Sequence, residues 1–581
     1  MKHKNIFDGV AGNAPSLNRF DLSYTNTTSM SFGYLYPVQC DEVYPGDVFK
    51  MSCYCHAELM PLVAPVMSDI QLFAHTFFVP YRLIYGVDTE DGKSIWEKFI
   101  TGGEDGDYDT PLPAWTPTWT KKGFSSLKIW DYVGNPVSYT APVAPETQPT
   151  WAPIVPGGID VSIAPKYSYN FIYNSFYRDE NLVDEVPFTN EDLLKVAFKK
   201  DYFTSALESQ QRGDAPALPV DVTFSNSGLN GYTIGNVSNN FIEFDGGAIR
   251  IAPSNSDVPY KFIAARTLPI GGVDRSTLGT TNDFEDNVYY GSPVTAHLSS
   301  GLVVATNDRN PATYLNRAVK ATTFTVSDLR LAFAIQRMQE LTMRAGYRYT
   351  EWLSAHYNAH PTDARLDRPE YIGGALMNVT VSPLTQNSES GTTPQGTKVG
   401  IGRVDSIQKL GNYRVLEHGL IMTLVSIRPK PIYKQGINRQ WLRQVKEDFY
   451  IPELAWLSEQ NIYNCEIWTG GSSDVDESGN ALDPQTFAFQ AHWNEMRCKN
   501  NIVSGAVREQ FDYWTLARDF ATRPALNQDF IEIDPADFNH IFAVQDEDTF
   551  IVSWSNLIDA FRPIPAMGVP GLVDHVYGGR Y

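Results

Sequence analysis

The sequence predicts a mainly β protein, an antiparallel β-sandwich with long insertions and few helices. Three observations carry that expectation: one long strict alternation early in the chain, a second apolar run soon after it, and further strand-like runs far downstream that need partners. In DVFKMSCYCHAEL (47–59), Phe49, Met51, Cys53, Cys55, Ala57 and Leu59 fall on one side of a pleated strand. Lys50, Ser52, Tyr54, His56 and Glu58 fall on the other. The turn signal YPGD precedes this strand and IQLFAHTFFVP (70–80) follows it, so the early chain reads as antiparallel β.

Residues 1–31 are polar, rich in Asn, Ser and Thr, and lack periodicity; they read as an arm lying over neighbouring surface. Strand material fills 32–80. Residues 103–165 hold the acidic tip EDGDYD and proline-rich runs that forbid regular ladders, with Trp115, Trp119 and Trp151 too apolar to leave in water. Helical character is expected at 191–200 and 452–463. The best helix is expected over 327–354, with Thr325 and Asp328 at its start and no Gly before Gly346. Its apolar residues occupy two faces, Val326, Leu329 and Phe333 on one and Leu331, Ile335 and Met338 on the other, which implies contact on both sides. Further strands are expected at 415–428, 486–492 and 540–553; GLIMTLVSI reads as a strand covered on both faces.

A net charge of -21 excludes a surface that binds nucleic acid throughout, because phosphate neutralisation needs clustered Lys and Arg. Any DNA contact is then confined to a local basic and aromatic patch, with Arg428, Lys430, Arg439 and Arg443 as candidates. Five widely spread cysteines do not make a disulfide scaffold, and a reducing compartment fits them. Cys53 and Cys55 share the apolar face of their strand and read as small buried hydrophobes. The start has no signal-peptide core, and no run of about 18 apolar residues offers a membrane span.

Catalytic motifs are missing: there is no Walker A loop, HExxH, G-x-S-x-G elbow or dinucleotide fingerprint. His356 and His360 are four apart, yet Pro361 follows and no Glu intervenes, so a helix end is preferred to a zinc site. DVDESGNALDPQ (474–485) copies the start of a calcium loop but ends in Gln485 without flanking helices, and reads as a turn. No catalytic residue, metal or cofactor is expected. The competing reading is a β-sandwich carbohydrate-binding protein or glycan-active enzyme, with the tryptophans as sugar-stacking platforms.

Ordered blocks along the whole chain resemble one family. GYLYPVQCDEVYPGDVFKMS (33–52), PLVAPVMSDIQLFAHTFFVPYRL (61–83), YNFIYNSFYRDENL (169–182), FTVSDLRLAFAIQ (324–336), DARLDRPEYIGG (363–374), LEHGLIMTLVSIRP (416–429), DFYIPELAWLSEQ (448–460), RPALNQDFIE (523–532) and VPGLVDH (569–575) look like blocks of the major capsid proteins of microviruses, small tailless phages with circular single-stranded DNA. The gokushovirus-like branch is the nearest match. Residues 100–165 and 206–323 depart from the pattern.

The resemblance implies an eight-stranded jelly roll repeated about sixty times in an icosahedral T=1 shell. On that reading residues 1–31 are an N-terminal arm, 32–205 the first part of the body with its 103–165 excursion, and 324–581 a helix and the rest of the body. Residues 206–323 carry strand-like pieces separated by turn chemistry, and so read as an ordered β-rich insertion. By position it resembles the threefold protrusion of gokushovirus capsids, with Asn282, Asp283, Phe284, Tyr289 and Tyr290 as candidates for host attachment. The resemblance further implies an internal scaffolding protein, a pilot protein, a small basic DNA-binding protein, the genome and a host-cell surface receptor as partners. Assembly is expected in the host bacterial cytoplasm and residence in the virion.

Overall fold

The computed structural model describes residues 17–86, 94–101, 111–115, 119–120, 123–125, 128–135, 137–138, 160–213, 222–224, 241–245, 248–252, 261–264, 294–297, 303–306, 319–321, 326–345, 349–358, 360, 362–388, 394–471, 474–545 and 547–566. Strands β1 (Asn18–Asp21), β2 (Tyr24–Met30), β3 (Leu35–Val43), β4 (Val48–Leu59) and β5 (Ile70–Pro80) open the chain. Helix α1 (Ala164–Ile172) runs on into a π turn over Tyr173–Tyr177. Helices α2 (Val326–Ala345) and α3 (Tyr349–Tyr357) come next. Then follow β6 (Glu370–Asn378), β7 (Thr380–Thr385), β8 (Lys398–Arg414), β9 (Gly419–Pro429), β10 (Glu459–Tyr463), β11 (Thr486–Ala491) and β12 (Phe550–Arg562).

Two antiparallel sheets build the sandwich. A six-stranded sheet runs β12-β4-β8-β7, with β1 and β2 both laid along the outer edge of β12; a four-stranded sheet runs β6-β5-β9-β3. Both ends of the chain meet in the first, where Phe550 stands opposite Leu59 and Phe561 opposite Val48. The alternation of β4 is the reason it lies there: Phe49, Met51, Cys53, Cys55 and Ala57 are buried while Lys50, Tyr54 and Glu58 face out. Strand β9 is buried along its whole length except at Arg428, since α1 packs on the face that the other sheet does not cover.

The inter-sheet core is largely apolar, and a chain of polar side chains runs through part of it. Thr423 donates to Gln39 Oε1 at 2.7 Å, which leaves its hydroxyl oxygen to accept from Thr76 at 2.9 Å. Gln39 Nε2 donates to Asp41 at 2.7 Å, so each buried polar group has a partner. Outside the sandwich, Tyr169 of α1 donates to the Leu35 carbonyl at 2.8 Å and accepts from the Leu194 amide at 3.0 Å. That double bond ties the helix to the edge of β3.

The chain divides into two compact units, one comprising residues up to Gly213 and from Gln339 onward, the other Asp214–Met338. In the second, Phe241–Asp245, Ala248–Ala252 and Lys261–Ala264 form a three-stranded antiparallel sheet, and Val294–His297 pairs with Val303–Thr306.

Within the expected arm, β1 and β2 lie along the free edge of β12. Three expectations are corrected. Residues 191–200 are extended, not helical: the Val196 amide bonds the Gly33 carbonyl at 2.7 Å and the Phe198 amide the Ile531 carbonyl at 2.9 Å. Long-range backbone bonds and the burial of Val196 and Phe198, two apart, win over a short helix. Pro452 starts one 3-10 turn over Pro452–Leu454, after which 459–463 is β10, paired with β11. The last strand begins at Phe550, since Asp534 and Pro535 cap and start a 3-10 segment through Ile541.

Candidate functional site

The outer face of the four-stranded sheet carries a cavity of about 420 Å³, lined by His75, Phe77, Phe176, Tyr177, Asp363, Arg368, Tyr371 and Arg428. Period-two geometry puts Phe73, His75 and Phe77 of β5 on that face, and β6 sets Tyr371 opposite Phe77. The π turn after α1 adds Phe176 and Tyr177, and the 3-10 turn before β6 adds Asp363. Ring centroids lie 4.8 Å apart for Phe77 and Phe176, 5.5 Å for Phe77 and Tyr371, and 5.9 Å for His75 and Tyr371.

The charges in this cavity do not cancel. Arg368 is bound by Asp363 at 2.6 Å and lies over the Phe176 ring. Arg428 has no carboxylate: its Nε donates to Ser426 Oγ at 2.9 Å, its Nη1 lies 3.4 Å from the Ala197 carbonyl, and its guanidinium sits 4.9 Å from the Phe73 ring centre. The imidazole of His75 meets the Tyr177 hydroxyl at 2.8 Å, and burial, followed by the Arg428 charge, pushes it down to about 4. At neutral pH His75 is therefore uncharged and Arg428 supplies the net positive charge.

Of the four expected DNA contacts, Arg439 and Arg443 both lie near Glu495 and Asp448, whereas Arg428 lines the cavity. Arg439 is half-buried and bonds Glu466 at 2.8 Å, a carboxylate that also accepts from Tyr202 at 2.7 Å. Arg443 bonds Glu495 at 2.9 Å, and Lys430 pairs with Asp69 at 2.6 Å on the surface. Internal carboxylates thus neutralise three of the four, and Arg428 alone keeps its charge for a ligand. Sequence reading missed the ring set around it, although Phe73, His75 and Phe77 at alternate positions were visible as one face. The side chains of Trp115, Trp119 and Trp151, the EDGDYD tip, and Asn282, Asp283, Phe284, Tyr289 and Tyr290 lie outside the described residues.

Residues 474–485 form a turn in which Asp476 accepts from the Ser478 and Asn480 amides, while Asp474 and Asp483 both bind Arg523. The carboxylates of Asp474, Asp476 and Asp483 are thereby committed to the protein. His356 meets Thr342 Oγ1 at 3.0 Å across α2 and α3.

Large apolar side chains are also exposed at several positions within 437–457 and at 502. Trp441 is 73% exposed, Trp456 95% and Ile502 80%, and Val445, Phe449 and Leu457 are exposed beside them in sequence. Exposed large apolar side chains of this kind are typical of subunit contacts. Residues 10–572 match the family model described as Capsid protein (F protein). The chain belongs to the capsid protein (F protein) family.

Full-length relatives agree. The capsid protein is 30% identical to Capsid protein VP1 of Chlamydia phage 1 over 98% of each chain, and 29% identical to that of Bdellovibrio phage phiMH2K over 95% of each. Capsid protein VP1 of Spiroplasma virus 4 is 27% identical over 97% of each. These are phages of the microvirus type, as the sequence blocks imply. This capsid protein is thus a structural subunit of a virion that self-assembles into a shell. No helix among the described residues is long and apolar enough to cross a membrane.

Proposed function

We propose that about sixty copies of this chain form a T=1 icosahedral shell around a circular single-stranded DNA genome, with the β-sandwich as its jelly-roll body. The observation that carries this reading is the exposure of large apolar side chains, Trp441 and Trp456 foremost. Burying two indoles at every copy of a contact favours association by several kcal/mol, and repetition around a closed shell multiplies the effect. Replacing both tryptophans by Ser tests the reading. The expected outcome is a subunit with an unchanged melting temperature that no longer forms particles; normal particles would overturn it.

The remaining partners follow from the same reading. A scaffolding protein guides assembly, a pilot protein delivers the DNA, and a small basic protein neutralises most of its charge, because the chain carries net -21. The 206–323 insertion forms the threefold protrusion and contacts the host-cell receptor, as exposed loops on a rigid scaffold do. Shortening 282–290 should leave particles that adsorb poorly to host cells. Particles that still adsorb would remove the attachment role and leave the shell.

A further inference from the structure

We propose that the cavity around Arg428 is a binding site for one nucleotide of a single strand, its base stacked on the Tyr371 ring and its phosphate on the Arg428 guanidinium. The proposal rests on the reading that the shell encloses single-stranded DNA, and deepens it by naming a site. Three features of the cavity select this ligand. Its walls offer ring faces, Tyr371 being half exposed at the sheet edge where a planar group reaches it. Its free polar groups include a donor that can only donate: Arg428 Nη2 has no hydrogen-bond partner among the described residues, nor has the Tyr371 hydroxyl, whereas each Asp363 oxygen already accepts a bond, from Arg368 and from the Tyr371 amide. Its net charge is positive, since Asp363 balances Arg368 and nothing balances Arg428.

A cavity with aromatic walls, free donors and one uncompensated cation takes an aromatic group that carries an anion. A purely apolar side chain would leave the guanidinium desolvated without an anion, which is costly. A bare phosphate would leave the rings unused. The volume, about 420 Å³, lies at the lower end of the roughly 300–1,000 Å³ of small-molecule sites and suits a single nucleotide unit. Stacking reads no particular base, so the site is tolerant of sequence, as a shell over a whole genome requires.

The test measures binding of a fluorescently labelled oligothymidylate to the full-length protein by anisotropy across a salt series, with an abasic strand of equal length as the second probe. Wild type should bind oligothymidylate roughly tenfold more tightly than the abasic strand. Arg428→Gln should weaken oligothymidylate about tenfold and lower the salt slope by about one, with Arg428→Lys restoring part of the loss. Tyr371→Leu, at a half-exposed edge position, should erase the preference over the abasic strand while leaving the melting temperature near wild type. Equal binding of the two strands by wild type, or unchanged binding in both Arg428→Gln and Tyr371→Leu, would overturn the site. Loss of particles in Tyr371→Leu with binding intact would also overturn it, by assigning the cavity to a neighbouring copy's side chain. Failure of the site leaves wild-type particles forming; failure of the capsid reading removes particles from the wild type itself.

Discussion

The Trp554 indole N–H donates to Asn556 Oδ1 at 2.8 Å inside the sandwich, and the same Asn556 donates from Nδ2 to the Val38 carbonyl at 3.1 Å. One amide thus joins the last strand of the six-stranded sheet to the first strand of the four-stranded sheet. Asn556→Leu strands both an indole N–H and a carbonyl in a dry interior, at about 1–3 kcal/mol each. Chemical denaturation should show a loss of roughly 2–5 kcal/mol with an unchanged m-value. A loss under 0.5 kcal/mol would mean that water reaches this contact.

Gly33 sits between β2 and β3 at φ +78°, with the Ile533 backbone so close that a Cβ would lie 2.4 Å from its carbonyl oxygen. Its amide bonds the Ile427 carbonyl at 3.0 Å and its carbonyl accepts from Val196, so the backbone cannot move aside. Gly33→Ala should cost several kcal/mol through strain and displacement together, read as insoluble or low-melting protein. A melting temperature within a degree or two of wild type is the contrary result.

His75 gives the fold an acid sensitivity. Its folded value is about 4 and its unfolded value near 6.5, so between those pH values the unfolded chain binds a proton that the folded chain excludes. Stability from this group is complete above about pH 6.5 and is lost as pH falls towards 4, by at most about 3 kcal/mol. Melting temperatures of wild type and His75→Gln should converge as pH drops through that window. Parallel curves would show that the imidazole titrates normally.

Buried thiols give a fourth expectation. Burial pushes Cys40, Cys53 and Cys55 each up to about 12, so almost no thiolate exists at pH 8. A disulfide reagent should modify these three slowly in native protein and all five cysteines at once after denaturation. Rapid native modification at Cys53 or Cys55 would place that strand's inner face in solvent.

The sandwich was legible wherever one period ruled a strand. Phe49 to Leu59 alternates without a break, and GLIMTLVSI is apolar throughout, so β4 and β9 could be read directly. Segments 191–200 and 452–463 were misread because a short apolar run does not distinguish helix from strand; what decides Val196 is its pairing with Gly33 and Ile533, far away in the chain, and what decides Ile462 is its pairing with Ala488 on β11. The site was half legible for the same reason. Arg428 stood out as a cation, but nothing local to Arg439 announces Glu466 as its partner, and nothing local to Tyr177 announces His75. Such pairings belong to the topology.

Mass photometry of the purified wild-type protein addresses the central claim most directly. About sixty copies of a 65.1 kDa chain weigh about 3.9 MDa, and the account predicts a population at that mass or at the pentamers that precede it. A single peak at the mass of one chain, under every condition of salt and concentration, would contradict it.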